Sequence, residues 1–387
     1  MENHRTIVLH YGELCLKGKN RGMFEDQVAR NIRFALGRDA EVLKLRKLFG
    51  RLCVDLPQGF DAQFAMQKLQ RVFGLSNMAL AVKTEFTLEA IWKTCESLLP
   101  SESPTSFCVR TKRADKRFPM KSEELSREIG ARVVETKGWK VDLKHPALEL
   151  SIELQNGEAY VSTERLQAAG GLPLASAGKL ACLLSGGIDS PLASFRMMRR
   201  GCEPFFIHFH SAPFTSRASV EKVLDLAEIV CRDRCKAEIA IVPFGEIQQA
   251  IIKASAEEYR VLLYRRFMLR IAEKLAQQKR ALALVSGEVL SQVASQTLSN
   301  LAHIEEVISM PMLRPLIGMD KQEIIDEAKK IGTYDTSCEP HDDCCSYLMP
   351  DKPATKTRPG ELQRAEAKLN IEALVAKGVT EAEIQVV

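Results

Sequence analysis

Residues 185–190 of the chain read Ser-Gly-Gly-Ile-Asp-Ser and are called the glycine turn here. An apolar run typical of a buried strand precedes them, and a helical pattern follows. Two glycines at such a turn can adopt φ values closed to other residues and leave no Cβ atoms in the path of a ligand. The free N–H groups at the start of the following helix suit a phosphate. We therefore predict that the glycine turn binds a phosphate group.

The polar side chains of the turn fit this prediction. Ser185 and Ser190 can donate hydroxyl hydrogen bonds to phosphate, whereas Asp189 would repel it unless a divalent cation lay between them. The alternative is a structural turn in which Asp189 or Ser190 caps the helix. The spacing is neither that of a Walker A loop nor that of a dinucleotide fingerprint.

A second group able to do chemistry lies towards the C-terminus. The chain has eleven cysteines, and most of them lie in apolar runs, where a reduced cysteine packs like a small hydrophobic residue. Cys344 and Cys345 differ because their neighbours are polar, and a thiolate or persulfide there would be a strong nucleophile. Together with Cys338 they could hold an iron–sulfur cluster, but adjacent cysteines fit one cluster poorly and the chain has no C-x-x-C. We expect no metal held by protein side chains alone.

The elements around the glycine turn indicate how it is positioned. From residue 179 onward, continuously apolar strands alternate with helices, which predicts a doubly wound parallel sheet over 179–387. Ligands of such sheets bind beyond the carboxyl ends of the strands, where the turn lies. Residues 167–178 are small and Gly-rich and are predicted to be a linker. Upstream, strands mixed with helices predict α+β modules at 1–59 and 60–166.

Two local patterns extend this prediction. Residues 41–56 are predicted to form one strand, which follows the first amphipathic helix of the chain. Residues 361–378 are predicted to form a single C-terminal helix after a Pro-rich turn.

The charge of the chain is unevenly distributed. Residues 1–170 carry 27 Lys and Arg against 22 Asp and Glu, whereas the remainder carries 27 against 28. Basic residues cluster at 17–51 and 110–121, which favours a surface for a polyanion, although a solvated surface also explains such runs. No apolar run reaches the ~18–20 residues of a membrane span, and the N-terminus lacks a signal-peptide pattern. We expect a cytoplasmic protein with no membrane partner.

Seven segments, in chain order, together resemble one family. The glycine turn matches S-G-G-x-D-S, the PP-loop signature of ATP pyrophosphatases, which cleave ATP to AMP and pyrophosphate. With the other segments, the chain resembles the tRNA 4-thiouridine synthetases, the tRNA sulfurtransferases of the ThiI family. The segments read HYGELCLKGKNRGMF, TKRADKRFPMKSEELS, LLSGGIDSPLAS, HFHSAPFTS, GEVLSQVASQTLSNL, RPLIGMDKQEI and DCCSYLMPDKPATK.

The resemblance implies a fold and an activity. A ferredoxin-like domain at 1–59 and a THUMP domain at 60–166 would bind tRNA, and a PP-loop domain at 179–387 would carry the catalytic site. The enzyme would use ATP and Mg²⁺ to adenylate a tRNA uridine, at position 8 in the family. It would then replace O4 with sulfur from a cysteine persulfide to give 4-thiouridine. A sulfur-carrier role in thiamine thiazole synthesis is a further expectation.

The resemblance also assigns residues to these roles. Asp189 would be catalytic, and Cys344 would carry the persulfide, with Cys345 as the runner-up. The cysteine that resolves the persulfide stays open among Cys338, Cys345, Cys182 and Cys202. The residues that would contact ATP are Leu183, Leu184, Ser185, Gly186, Gly187, Asp189, Ser190, His208, Phe209, Arg265, Gly287 and Gln296. The residues that would contact tRNA phosphates are Lys17, Lys19, Arg21, Arg110, Lys112, Arg113, Lys116 and Arg117.

Two of these residues also have structural interpretations. His208 could be a packed strand histidine, and Arg265 could be a surface arginine of a helix. About 42 residues follow Cys345, too few for a rhodanese domain. We therefore expect the rhodanese-less form, which receives sulfur directly from a cysteine desulfurase, and a homodimer by family resemblance. The alternatives are a PP-loop thiolase acting on another base and a non-catalytic RNA-binding protein, although the intact glycine turn argues against the second.

Overall fold

The computed structural model of the protein describes residues 5–16, 18–48, 50–212, 218–340 and 353–387. The chain divides into two compact units, unit 1 (Met1–Pro173) and unit 2 (Leu174–Val387). Among the residues described, no helix has the length and apolar character that a membrane crossing needs.

Unit 1 is built on one eight-stranded sheet with helices packed on it. Its strands are β1 (Arg5–Tyr11), β2 (Lys44–Leu48), β3 (Arg51–Asp55), β4 (Leu75–Glu85), β5 (Phe107–Arg113), β6 (Leu148–Gln155), β7 (Glu158–Ser162) and β8 (Leu166–Gln167). Its α-helices are α1 (Arg21–Leu36), α2 (Ala62–Gln70), α3 (Leu88–Leu98) and α4 (Ser122–Lys137). The strand order is β2-β3-β1-β4-β7-β6-β5, with β8 on β4, and only the β5–β6 pair is parallel.

The long strand β4 joins the two α+β modules predicted for this part of the chain. It pairs with β1 on one side and with β7 on the other, so that both modules share one sheet. Separate hydrophobic cores lie against this sheet, and two of them contain helical residues. One contains residues of α1 and α2, and the other contains residues of α3 and α4.

The prediction of a single strand at 41–56 is wrong. Residues 44–55 form two antiparallel strands, β2 and β3, in which Leu48 pairs with Arg51. Gly50 has a φ of +83°, a left-handed conformation that glycine adopts without steric cost, and it lets the chain reverse there. The apolar alternation on both sides of Gly50 resembles one strand because it continues across the turn.

Unit 2 contains a six-stranded sheet with helices before and after its strands. Its strands are β9 (Lys179–Leu183), β10 (Glu203–His210), β11 (Glu238–Pro243), β12 (Leu284–Val285), β13 (Met312–Leu313) and β14 (Glu383–Val386). Its α-helices are α5 (Asp189–Arg199), α6 (Ala218–Cys231), α7 (Gly245–Ala254), α8 (Arg260–Gln278), α9 (Leu298–Glu305), α10 (Lys321–Ile331), α11 (Tyr334–Cys338), α12 (Glu361–Glu366) and α13 (Ile371–Thr380).

The order of these strands creates a ligand-binding edge. They are arranged β13-β12-β9-β10-β11-β14, and all neighbours are parallel except β11 and β14. The chain passes from β9 to β10 and β11 on one side, and β12 then pairs with the other side of β9. Such a reversal opens a crevice beyond the carboxyl ends of β9 and β12, which are called the two central strands below. The predicted parallel sheet is confirmed, and the antiparallel β14 at its edge was not predicted.

The prediction of one helix at 361–378 is also wrong. The structure has two helices, α12 and α13, separated by residues 367–370. The side chain of Asn370 accepts a hydrogen bond from the N–H of Ala373 at 3.2 Å and caps the second helix. An asparagine competes well for this capping position, which starts a new helix where the amphipathic pattern alone suggests continuity.

A buried ion pair ties the last part of unit 2 to its longest helix. Arg266 on α8 is only 2% exposed, and its Nη2 lies 2.8 Å from Oε1 of Glu366 on α12. Arg270, one turn further along α8, donates two more hydrogen bonds to the same carboxylate. Removing one partner of a buried pair leaves the other charge without compensation, which is costly.

We predict that Glu366→Gln lowers the free energy of unfolding of unit 2 by about 3–5 kcal/mol, because Arg266 stays buried without its nearest counter-charge and keeps only Glu306, at 3.6 Å. Urea unfolding followed by circular dichroism measures this. Glu246→Gln is the matched control, since the Glu246–Lys377 pair is exposed and is expected to contribute little. Equal midpoints for the two variants would contradict the assignment.

Candidate functional site

The glycine turn connects the end of β9 to the start of α5. The hydroxyl of Ser190 accepts a hydrogen bond from the backbone N–H of Ser185 at 2.9 Å, and the two hydroxyl oxygens lie 3.1 Å apart. Helix α5 begins at Asp189, and no side chain caps it. The helix cap considered for Asp189 or Ser190 is therefore not what the structure shows, because Ser190 closes the turn instead.

The reason for the two glycines differs from the one expected. Neither Gly186 nor Gly187 has a positive φ, so the prediction that the turn needs glycine for its backbone angles is wrong. A Cβ atom added at Gly187 would meet the Ser185 hydroxyl oxygen at 3.7 Å, an ordinary contact. The protein itself thus leaves room for a side chain at 187. The remaining reason for a glycine is close approach of a ligand to the backbone.

A second loop, residues 286–288 after β12, touches the glycine turn backbone to backbone. A Cβ atom at Gly287 would lie 2.6 Å from the nitrogen of Ser190 and 2.7 Å from the carbonyl carbon of Asp189. No real Cβ atom sits that close to rigid backbone, so only glycine fits there. The contact fixes the loops after the two central strands against each other.

These loops border a cavity of about 450 Å³, a size typical of small-molecule sites. Of the twelve residues predicted to contact ATP, all but Gly186 line this cavity. The lining members are Leu183, Leu184, Ser185, Gly187, Asp189, Ser190, His208, Phe209, Arg265, Gly287 and Gln296.

The wall formed by β9 and β10 is mostly apolar. His208 is buried, and its Nδ1 donates to the carbonyl of Leu184 at 2.9 Å. The N–H of Leu184 donates to the carbonyl of Ile207 at 2.9 Å, so both of its backbone groups already have protein partners. The structure therefore favours apolar contact between Leu184 and a ligand. His208 packs as a strand histidine and also lines the cavity.

Arg265 is held in the cavity wall by a network of charges. Its Nη2 lies 2.8 Å from Oε1 of Glu288, and its Nη1 donates to the hydroxyl of Ser295 at 2.9 Å. The other oxygen of Glu288 accepts from Nε of Arg314 at 2.6 Å. Burial alone would raise the pKa of Glu288, but the two arginines outweigh it and hold this pKa below its ordinary value. Arg265 is therefore an anchored cation beside the cavity and not a loose surface arginine.

Asp189 faces a cation that was not singled out from the sequence. Nζ of Lys321, the first residue of α10, lies 2.8 Å from its Oδ1, and Nε2 of Gln292 lies 3.4 Å from its Oδ2. No group of three or more metal-binding side chains occurs among the described residues. A single carboxylate fits Mg²⁺ only if phosphate oxygens and water supply the remaining ligands. Asp189 lines the cavity, where a bound nucleotide would supply the phosphate oxygens that such an ion needs.

The cysteines fall into distinct groups. Cys182 and Cys202 are buried, and burial raises the pKa of the Cys182 thiol to about 12, which makes it inert. Cys338 is exposed at the end of α11. The hydroxyl of its neighbour Ser337 donates to the carbonyl of Gly187 at 3.4 Å, so Cys338 directly follows a residue that contacts the glycine turn. The predicted catalytic Cys344 and Cys345 lie outside the described residues.

The basic residues predicted for tRNA binding lie in unit 1 and differ in their engagement. Lys19, Lys112 and Lys116 are exposed, whereas Lys17 lies outside the described residues. Arg113 donates to the backbone carbonyls of residues 118 and 120, which is a structural role within its loop. Three others pair with carboxylates, namely Arg21 with Glu25, Arg110 with Glu149, and Arg117 with Asp115.

Lys112 has two cationic neighbours that were also not singled out. Partial burial of the Lys112 side chain lowers its pKa, and the charges of Arg165 and Arg51 lower that pKa further. Both arginines pair with the same acid, Glu153, which leaves an excess of positive charge in this part of unit 1. Lys112, Arg51 and Arg165 are far apart in sequence and only the folded sheet brings them together, so no local pattern predicts this cluster.

Comparison with known proteins places the chain in a family. The family model described as "Thiamine biosynthesis protein (ThiI)" matches residues 175–371, the ThiI ferredoxin-like domain matches 6–79, and the THUMP domain matches 85–164. A probable tRNA sulfurtransferase of Caldanaerobacter subterraneus subsp. tengcongensis is 41% identical over 371 residues, which cover 96% of this chain and 97% of that protein. The chain belongs to the ThiI family of tRNA sulfurtransferases. Another relative, the probable tRNA sulfurtransferase of Geobacillus kaustophilus, is 40% identical over 389 residues and covers 100% of this chain and 96% of its own length.

A solved structure agrees with this membership. The crystal structure of a 4-thiouridine synthetase–RNA complex with bound ATP matches with a TM-score of 0.90 and 33% identity, and the match covers 99% of this chain and 100% of that chain. The resemblance to the ThiI family is confirmed, as is the fold class of ferredoxin-like, THUMP and PP-loop domains.

We predict that Gly187→Ala abolishes measurable ATP binding while leaving the melting temperature unchanged, because the added methyl group makes only an ordinary contact with Ser185 within the protein and would occupy the space that we assign to the phosphates. Isothermal titration with ATP and a thermal melt measure the two effects. Gly22→Ala is the matched control, since a Cβ atom there meets nothing within 4 Å and the residue lies on α1 in unit 1. Gly287→Ala is expected to lower both binding and melting temperature. Normal ATP affinity in Gly187→Ala would show that the turn does not hold phosphate.

Proposed function

We propose that this tRNA sulfurtransferase adenylates O4 of a tRNA uridine and replaces that oxygen with persulfide sulfur, giving 4-thiouridine. The observation that carries the proposal is the glycine turn, which has space at Gly187 for a ligand and borders the cavity beside Asp189 and Lys321. The solved relative with bound ATP and RNA supports ATP as the activating substrate. Position 8 of tRNA is the uridine that we expect to react.

In the first step, O4 attacks the α-phosphorus of ATP and pyrophosphate leaves. The N–H groups of Ser185 and Gly187 donate within the turn, so the N–H groups at the start of α5, which no side chain caps, would face the phosphates. Arg265 and Lys321 would supply positive charge against them. Asp189 would hold Mg²⁺, which neutralises phosphate charge and assists pyrophosphate as a leaving group. This role requires Lys321 to exchange the carboxylate of Asp189 for a phosphate.

In the second step, the terminal sulfur of a Cys344 persulfide attacks C4 and AMP leaves with the former O4. The thiolate of a second cysteine then attacks the γ-sulfur of Cys344. The sulfur–sulfur bond breaks, the thiocarbonyl stays on the base, and a disulfide forms, which an external dithiol must reduce before the next turnover. Cys182 and Cys202 are too deeply buried for this role. Among the described candidates, that leaves Cys338, and Cys345 stays a candidate from the sequence.

The partners follow from the same chemistry. The exposed Lys19, Lys112 and Lys116 would contact tRNA phosphates, and the excess positive charge around Lys112 supports this surface. A cysteine desulfurase would load the persulfide, and we expect a homodimer acting in the cytoplasm, where tRNA and ATP occur together. Sulfur transfer for thiamine thiazole synthesis would use the same persulfide.

The deciding experiment incubates the protein with unfractionated tRNA, ATP labelled in its α-phosphate, a cysteine desulfurase, free cysteine and a dithiol. We expect AMP as the spent nucleotide and 4-thiouridine in the digested tRNA. Asp189→Ala is expected to lose both products, whereas Cys344→Ser is expected to leave the α-phosphate label on the tRNA and form neither free AMP nor the thiolated base, with Cys235→Ser as the cysteine control. ADP in place of AMP, or a different thiolated base, would refute the proposal.

We predict that Cys338→Ser stops the reaction after the sulfur has reached the base, so that tRNA stays bound to the enzyme through a reducible linkage. Non-reducing gel electrophoresis of a single turnover run without the dithiol detects this species, and dithiothreitol then releases it as thiolated tRNA. Cys182→Ser and Cys202→Ser are expected to turn over normally because both thiols are buried. Normal turnover by Cys338→Ser would assign the resolving role to Cys345.

A further inference from the structure

Glu288 lines the nucleotide cavity and carries a buried carboxylate, although the ligand that we assign to this cavity is an anion. Its side chain is only 6% exposed, and it directly follows Gly287, which touches the glycine turn. Burial would raise the pKa of this carboxyl, but the charges of Arg265 and Arg314 hold the pKa below its ordinary value, so the group is ionised at neutral pH. A negative charge in this wall would repel phosphate unless it were compensated.

Arg265 alone cannot both neutralise this carboxylate and offer a free charge to phosphate. Its Nη2 lies 2.8 Å from Oε1 of Glu288, so the two charges cancel each other as a pair. A cation that is paired in this way adds little net attraction for an anion nearby. The cavity wall therefore needs a second cation on Glu288 if it is to stay positive.

Arg314 supplies that second cation from outside the cavity. It directly follows β13, and the N–H of Ser286, which follows β12, donates to the carbonyl of Leu313 at 3.1 Å. This contact places the ends of the two parallel strands side by side. Nε of Arg314 then lies 2.6 Å from Oε2 of Glu288. Arg314 is not among the described residues that line the cavity, so we infer that it acts there through Glu288.

The second partner of Arg314 does not cancel this contribution. Nη1 of Arg314 lies 2.7 Å from Oε2 of Glu305, the last residue of α9, but the side chain of Glu305 is 37% exposed. Water and salt screen an exposed charge far more than a buried one. The buried part of the network therefore holds two guanidinium groups against one carboxylate, which leaves one positive charge beside the cavity.

We propose that Arg314 is a positioning residue for nucleotide binding, which neutralises Glu288 so that the charge of Arg265 stays available to the phosphates. The inference rests on the proposed function and concerns the step at which ATP binds. Loss of Arg314 would lower the charge of the network by one unit and leave Arg265 and Glu288 as a cancelled pair. Loss of the negative charge of Glu288 as well would restore that unit of charge.

The test compares a charged and an uncharged ligand of the same cavity. Equilibrium dialysis with labelled ATP and Mg²⁺ measures the ATP affinity of Arg314→Met, and competition with this ATP measures its adenosine affinity. We expect a loss of on the order of 10-fold for ATP and little change for adenosine, because a neutral ligand responds weakly to one unit of charge. The double variant Arg314→Met/Glu288→Gln is expected to bind ATP more tightly than Arg314→Met.

Arg270→Met is the matched control. The side chains of Arg270 and Arg314 are 16% and 13% exposed, and each is one of two arginines on a buried carboxylate, that of Glu366 or that of Glu288. Arg270 does not line the nucleotide cavity. Arg270→Met is therefore expected to bind ATP and adenosine as the wild type does, although it should melt at a lower temperature.

Three outcomes would overturn the role of Arg314. They are an equal loss of affinity for ATP and adenosine in Arg314→Met, an unchanged ATP affinity, and a double variant that binds ATP no better than Arg314→Met. If Arg314→Met does not fold, Arg314→Gln keeps N–H donors for Glu288 without the charge, and the same difference between ATP and adenosine is expected. Wild-type protein that does not bind ATP would instead refute the proposed function.

Discussion

The backbone contact between Gly287 and Ser190 is the constraint on which the site depends. It joins the loops after β9 and β12, the two neighbouring strands at which the order of the sheet reverses. The first loop is the glycine turn, to which we assign phosphate binding. The second begins the network that holds Arg265 through Glu288. A side chain at 287 would separate the loops and, with them, the anion-binding groups from their supporting charges.

The charges of the site are balanced in a way that suits a polyanionic substrate. The buried carboxylate of Glu288 pairs with Arg265 and Arg314, and a pair of this kind is costly to break. Asp189 and Lys321 are more exposed, and such pairs contribute little to stability. In the proposed reaction a nucleotide would therefore displace Lys321 from Asp189 at small cost, while the buried network keeps Arg265 in place. The buried pairs of Glu288 therefore hold the site together, whereas the more exposed Asp189–Lys321 pair can be exchanged.

Local sequence signals predicted the elements of the site better than its contacts. The glycine turn, the central strands and the helix after them follow from apolar runs and from the glycines. The reversal at Gly50 and the break at Asn370 also had local signals, which the continuing amphipathic pattern obscured. Lys321 and Asp189 lie 132 residues apart, in a chain with 27% charged residues, and nothing local marks them as partners. Such pairs are defined only when the sheet places the strand ends together.

Gly187 faces two different parts of unit 2. Its missing side chain leaves space on the ligand side, and its carbonyl accepts from Ser337 on the side of α11. At 3.4 Å this hydrogen bond is long, so it cannot hold α11 by itself. The end of α11 is also held by two shorter hydrogen bonds, from buried Lys222 to the carbonyls of Ser337 and Glu339. The carbonyl of a single residue, Gly187, thus links the glycine turn to the helix that ends at Cys338, the described cysteine nearest in sequence to that contact.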